Sequence, residues 1–122
     1  MILADTSVWV NHFRQDDPDL RRLLVDGQIL IHPFVIGEIA CGNFKSRQKT
    51  LSDLQRLPPV SLAEQEEVLG FLDQHHLFGK GISWIDAHLL ASALLTNCRL
   101  WTLDAQLLAA ASRLRIGYSA TN

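Results

Sequence analysis

Met1-Ile-Leu-Ala-Asp-Thr-Ser7 opens the chain with a short apolar run closed at once by three polar residues. Such a run reads as a buried strand handing over to a helix, because Asp, Thr and Ser side chains accept hydrogen bonds from the free amides of a first helical turn. The same handover recurs downstream. Gln28-Ile-Leu-Ile-His32 meets Pro33, a residue suited to the first helical position. Arg99-Leu-Trp-Thr102 is a third strand, followed by a helix from Asp104 to Leu114. Strands and helices alternate without hairpin signals between them. That order predicts an α/β protein: a three-layer α/β/α sandwich around a central, mainly parallel sheet.

The remaining segments fit the same scheme. Ser7 to Arg14 reads as a short helix. Asp16-Asp17-Pro18-Asp19 caps a second one, which carries Leu20, Leu23 and Leu24 and stops at Gly27. Pro33 opens a helix that holds Glu38 and ends near Gly42. Lys45 to Leu57 places Leu51, Leu54 and Leu57 at helical spacing, and Pro58-Pro59 stops it. Val60-Ser61-Leu62 is a short strand by pattern, and Ala63 to His76 an amphipathic helix. After the loop Phe78-Gly-Lys-Gly81, Ser83 caps a long apolar helix to about Thr96. Ile116-Gly-Tyr118 closes the pattern as a last strand.

The 122 residues suit one domain, 1–122, with one core. Apolar residues make up 48% and charged residues 20%, which excludes a disordered chain. No stretch approaches the ~20 apolar residues of a membrane helix. The first residues lack a basic segment and reach a charge too early for a signal peptide. A cytoplasmic location is expected. Cys41 and Cys98 make neither a disulfide framework nor a zinc ribbon and read as two buried thiols. The five histidines form no zinc-protease helix.

Four acidic residues stand in apolar sequence where elements begin or end: Asp5, Glu38, Asp86 and Asp104. Asp5 and Asp104 are each as readily a helix cap as a ligand. Glu38 is as readily solvent-facing. Asp86 is more telling, since its helical neighbours Ile82, Leu89 and Leu90 make a core-facing stripe and no basic residue lies at i±3 or i±4. Two carboxylates ~5 Å apart repel by about 3 kcal/mol at an effective dielectric of 20. In a gathering of four, either some stay protonated or a hard divalent cation, Mg²⁺ or Mn²⁺, whose preferred ligands are oxygens, offsets the repulsion. The net charge of −2 argues against a nucleic-acid partner, unless bound cations neutralise the four carboxylates and reverse the balance. Lys45, Arg47 and Lys49 form a local basic run, either facing phosphates or lying on a solvated helix face.

Leu3-Ala-Asp-Thr-Ser-Val-Trp9, the Glu38 helix, Ser83-Trp-Ile-Asp-Ala-His-Leu-Leu-Ala-Ser-Ala93 and Leu100-Trp-Thr-Leu-Asp104 together resemble the PIN domain. The match to the VapC toxins of bacterial toxin–antitoxin pairs is close and covers essentially the whole chain. By that resemblance Asp5, Glu38, Asp86 and Asp104 correspond to the family's acidic set. Thr6, Ser7 and Thr102 correspond to its supporting hydroxyl residues. The resemblance implies an Mg²⁺- or Mn²⁺-dependent endoribonuclease that hydrolyses RNA phosphodiesters with an activated water. It also implies a cognate antitoxin of the VapB type and a homodimer. A PIN nuclease of RNA processing and a non-catalytic binding module are the alternatives. The chain departs from the family pattern at Asn11, where relatives often carry an acidic residue, and at Leu107, where an aromatic is frequent. Trp9, Trp84 and Trp101 offer rings for base stacking, although their apolar contexts favour packing.

Overall fold

The computed structural model describes residues 1–119. Three parallel strands, β1 (Ile2–Ala4), β2 (Ile29–Leu30) and β3 (Arg99–Trp101), form a sheet in the order β2-β1-β3. In register, Ile2 and Leu3 pair with Ile29 and Leu30 on one side, and with Arg99 and Leu100 on the other. All of β1 is buried, as expected for a central parallel strand covered on both faces.

Among the described residues seven helices flank the sheet: α1 (Thr6–Gln15), α2 (Pro18–Val25), α3 (Pro33–Ala40), α4 (Arg47–Gln55), α5 (Gln65–Gln74), α6 (Trp84–Thr96) and α7 (Ala105–Arg113). Helices α1, α3 and α4 pack together, as do α5 and α6, giving the α/β/α arrangement. The core joins Leu3 and Leu100 of the strands to Leu89 and Leu90 of α6 and Leu107 of α7, all essentially inaccessible. Leu107 is thus a core residue, and Asn11 only accepts a hydrogen bond from Gln15 on the surface of α1. Among the described residues no helix is long and apolar enough to cross a membrane.

Local chemistry sets most boundaries where the sequence put them. The Asp17 carboxylate caps α2 by accepting from the amides of Asp19 and Leu20. Gly27, at φ +68°, follows that helix with the left-handed conformation open to glycine. Two expected strands shrink to single bridges. Val60–Leu62 does not extend the sheet; one parallel bridge joins Ile31 to Pro59 instead. Pro58 and Pro59 lack amide donors, so the ladder cannot continue upstream. Downstream, the amides of Ser61 and Ala63 donate to the Thr96 and Ser92 hydroxyls of α6. Ile116–Tyr118 is likewise reduced to one bridge at Gly117, made by two hydrogen bonds to Leu100.

Candidate active site

The carboxyl ends of parallel strands leave backbone amides and helix starts pointing into one crevice, which is where α/β folds place their sites. Asp5 leaves β1 and caps α1. Its carboxylate is buried, 5% exposed, and is held by three donors. Oδ1 accepts from the Ser7 hydroxyl (2.5 Å) and the Val8 amide (3.2 Å), and Oδ2 accepts from the Thr102 hydroxyl (2.5 Å). Burial pushes the Asp5 pKa up, the three donors work against that, and the negative charge of Asp86 pushes it up again. Burial wins, and the Asp5 pKa is raised overall.

The other members are tied to Asp5 through its neighbours. Thr6 donates its hydroxyl hydrogen to Oε1 of the exposed Glu38 (2.6 Å), bringing the Glu38 face of α3 against the start of α1. Thr102, at the end of β3, donates to Asp5 and accepts from the Asp104 amide (3.0 Å). Ser7 does the equivalent from the other side, donating to Asp5 and accepting from the Leu103 amide (2.9 Å). Asp104 caps α7, its Oδ1 accepting from the amides of Gln106 and Leu107. Asp86, half-buried on the first turn of α6, lies near enough to Asp5 to disfavour its charge.

The core-facing stripe expected for Asp86 is not where the side chain lies. Asp86 and Ser83 form a reciprocal capping box: the Ser83 amide donates to Asp86 Oδ2 and the Asp86 amide donates to Ser83 Oγ, both at 3.0 Å. Its partner is a backbone amide, which a search for basic side chains at i±3 and i±4 overlooks. The pattern Ser83-x-x-Asp86 is the signal that would have found it.

Capping and hydrogen bonding leave oxygens to spare. Among the described residues, Glu38 Oε2, Asp86 Oδ1 and Asp104 Oδ2 accept no hydrogen bond, and Asp5 Oδ2 accepts one. An all-oxygen donor set suits Mg²⁺ or Mn²⁺. As the side chains stand, however, no three Asp, Glu, His or Cys groups among the described residues are close enough to hold one ion together. The donor chemistry fits a hard cation, but the carboxylates as they stand among the described residues do not close a coordination shell.

The basic run serves the fold more than the crevice. The Arg47 guanidinium donates to the Ala40 carbonyl at the end of α3, and Lys49 pairs with Asp53 one turn along α4. Of the three, Lys45 alone makes no side-chain hydrogen bond or ion pair among the described residues. Cys41 is exposed and Cys98 buried, so the expected burial holds for one thiol only. Trp9 and Trp101 are core residues, but Trp84 is 41% exposed at the start of α6. Two of the five histidines, His32 and His88, are buried. His32 caps α3, its Nδ1 accepting from the Phe34 amide, and burial together with the nearby His88 lowers its pKa to about 4.

Strand ends, acidic set and helix order define the class. The chain belongs to the PIN domain family, whose profile matches residues 2–113. Within that family it is VapC-type. It is 43% identical over 111 residues to the protein named Ribonuclease VapC32 from Mycobacterium tuberculosis strain CDC 1551 / Oshkosh, with 90% of each chain covered. The identity and coverage are the same for Ribonuclease VapC32 of strain ATCC 25618 / H37Rv. The fold recurs in a chain of the solved structure of FitAB bound to an IR36 DNA fragment, at a TM-score of 0.60. That likeness covers 92% of this chain and 91% of the other at 19% identity, and is one of fold alone.

Proposed function

We propose that this chain is a metal-dependent endoribonuclease, a single PIN domain acting in the cytoplasm as the toxin of a VapBC-type module. The observation that carries the reading is Asp5: a buried carboxylate, oriented by two hydroxyls and an amide beside a second carboxylate, its pKa raised by burial. A structural cap needs one oxygen and no burial. The 43% identity to proteins named as ribonucleases supports an RNA substrate.

Asp5 and Asp86 would hold the cation, with Glu38 and Asp104 contacting it directly or through water. Bound there, Mg²⁺ or Mn²⁺ would supply an activated water near neutral pH and offset negative charge on the phosphate. The protein's own part is positional. Ser7 and Thr102 fix both oxygens of Asp5, and Thr6 orients Glu38. No histidine is needed as base, and the buried His32 and His88 remain neutral near pH 7. Attack by water would leave a 5′-phosphate and a 3′-hydroxyl.

The toxin role requires a neutralising partner, a VapB-type antitoxin, and a homodimer is the expected assembly. A basic side chain, Arg above all, among the four carboxylates would offset their charge as the cation does. The experiment is purified protein with Mg²⁺ or Mn²⁺ and single-stranded RNA, alongside Asp5→Asn. Cleavage by wild type and its loss in Asp5→Asn support the reading; near wild-type cleavage by Asp5→Asn overturns the site. Growth arrest on expression, relieved by the protein encoded beside it, tests the toxin role separately.

A further inference from the structure

Beside the acidic crevice, α3 and α6 enclose an open groove of 420 Å³ lined by Phe34, Gly37, Glu38, Cys41, Trp84 and Ile85. We propose that this groove is a nucleobase subsite, in which the base of a nucleotide next to the cleaved phosphodiester stacks on Trp84 and Phe34. The inference rests on the nuclease reading above and adds where the substrate's base goes.

Three observations carry it. The groove is continuous with the crevice: Glu38 lines both, and Trp84 and Ile85 precede Asp86 on the same turn of α6. Its two large rings are exposed, Trp84 by 41% and Phe34 by 38%, although the other two tryptophans are 4% or less. Both rings are braced by the buried His88, at centroid distances of 4.6 Å from Trp84 and 4.8 Å from Phe34. These contacts are edge-on, and neither ring has a parallel stacking partner among the described residues. A rigid aromatic face without a stacked neighbour is what an unpaired base needs.

Gly37 is the third observation. It lies inside α3, where glycine is less favourable than alanine. A Cβ built on it meets nothing within 4 Å, so no protein contact requires the glycine. What its bare backbone does is deepen the groove. Charge then selects the part of the nucleotide that enters. The groove's lining is apolar apart from Glu38 and offers no cationic side chain to a phosphate, which leaves the uncharged, planar base as the guest.

The test uses RNA oligomers spanning one cleavage site, each with a single abasic position, cleaved by wild type, Trp84→Ala, Trp84→Phe and a matched leucine pair. Gly37→Leu fills the groove, while Gly70→Leu places the same side chain at a helical glycine with equally open space on α5, outside the groove. On intact RNA, Trp84→Ala should lose about 5- to 150-fold in kcat/KM, the range that stacking on one aromatic gives. Trp84→Phe should keep most of the rate, Gly37→Leu should lose it and Gly70→Leu should not. At one abasic position wild type and Trp84→Ala should become equal, which a merely structural Trp84 would not produce. Equal rates for wild type and Trp84→Ala on every oligomer would overturn the subsite while leaving the nuclease intact. So would a Trp84→Ala defect confined to capture of the antitoxin, which would make the groove a protein-docking surface. A wild type that cleaves no RNA would instead refute the nuclease reading on which the subsite depends.

Discussion

Replacing Thr102 with valine keeps the shape of the side chain and deletes one hydroxyl, with consequences that can be worked through atom by atom. The Thr102 hydroxyl donates to the buried Asp5 carboxylate at 2.5 Å and accepts from the Asp104 amide at 3.0 Å. Without it, Asp5 Oδ2 loses its donor and the Asp104 amide its acceptor. A hydrogen bond to a charged group contributes about 1.5–3 kcal/mol. The Asp104 amide sits near solvent and adds little. The expected loss near pH 7, without metal, is therefore about 2–3 kcal/mol, or about 6–12 °C in melting temperature for a chain of this size. The loss should depend on pH. The hydroxyl favours the Asp5 anion, so its removal raises a pKa that burial has already raised. Above the raised pKa the charged bond is missed in full. As pH falls through it, the carboxyl is neutral in both proteins and the deficit shrinks toward about 1 kcal/mol, the contribution of a neutral hydrogen bond. Urea denaturation from pH 4 to 8, with a double-mutant cycle against Asp5→Asn, measures this. A pH-independent deficit below about 0.5 kcal/mol, or purely additive variants, would refute the claim that Thr102 supports a charged Asp5.

Mn²⁺ should raise the melting temperature of wild type more than NaCl of equal ionic strength, by about 2.7 kcal/mol of stability at a hundred times Kd, and much less in Asp86→Asn; equal shifts in the two proteins would count against Asp86 as a ligand. His32 should make the fold acid-sensitive. Its folded pKa of about 4 lies below the usual 6.5, so the unfolded chain binds the extra proton and stability falls as pH drops from about 6.5 to about 4. The full penalty is about 3 kcal/mol, and His32→Asn, which can still cap α3, should flatten that part of a stability–pH curve. Arg47→Ala should lower stability by about 1.5 kcal/mol through the uncapped Ala40 carbonyl and leave RNA affinity nearly unchanged, whereas Lys45→Ala should do the reverse; filter binding and thermal melts on the two variants separate these roles.

The sequence by itself determined the layer architecture and the roster of acidic residues. Both depend on short-range chemistry: apolar runs three to five residues long, caps at Asp5, Asp17, Ser83 and Asp104, prolines at helix starts, and carboxylates in apolar context. What pattern alone misjudged were segments whose backbone partners come from far along the chain. Val60–Leu62 has a strand's composition, yet the amides of Ser61 within it and of Ala63 just after it go to hydroxyls on α6, about thirty residues away. Arg47, open by sequence between a phosphate contact and a solvated helix face, is laid by the fold against the end of α3. Tertiary structure alone decided which carboxylate is buried. Asp5 and Asp104 read alike by sequence, each as readily a cap as a ligand, but β1 is the central strand, so Asp5 emerges between two neighbours and Asp104 at the rim. Strand order is set by which apolar faces pack together over the whole chain, and no local pattern encodes it. The raised pKa of Asp5, the half-exposed ring of Trp84 and the meeting of α3 with α6 at Glu38 all follow from that packing.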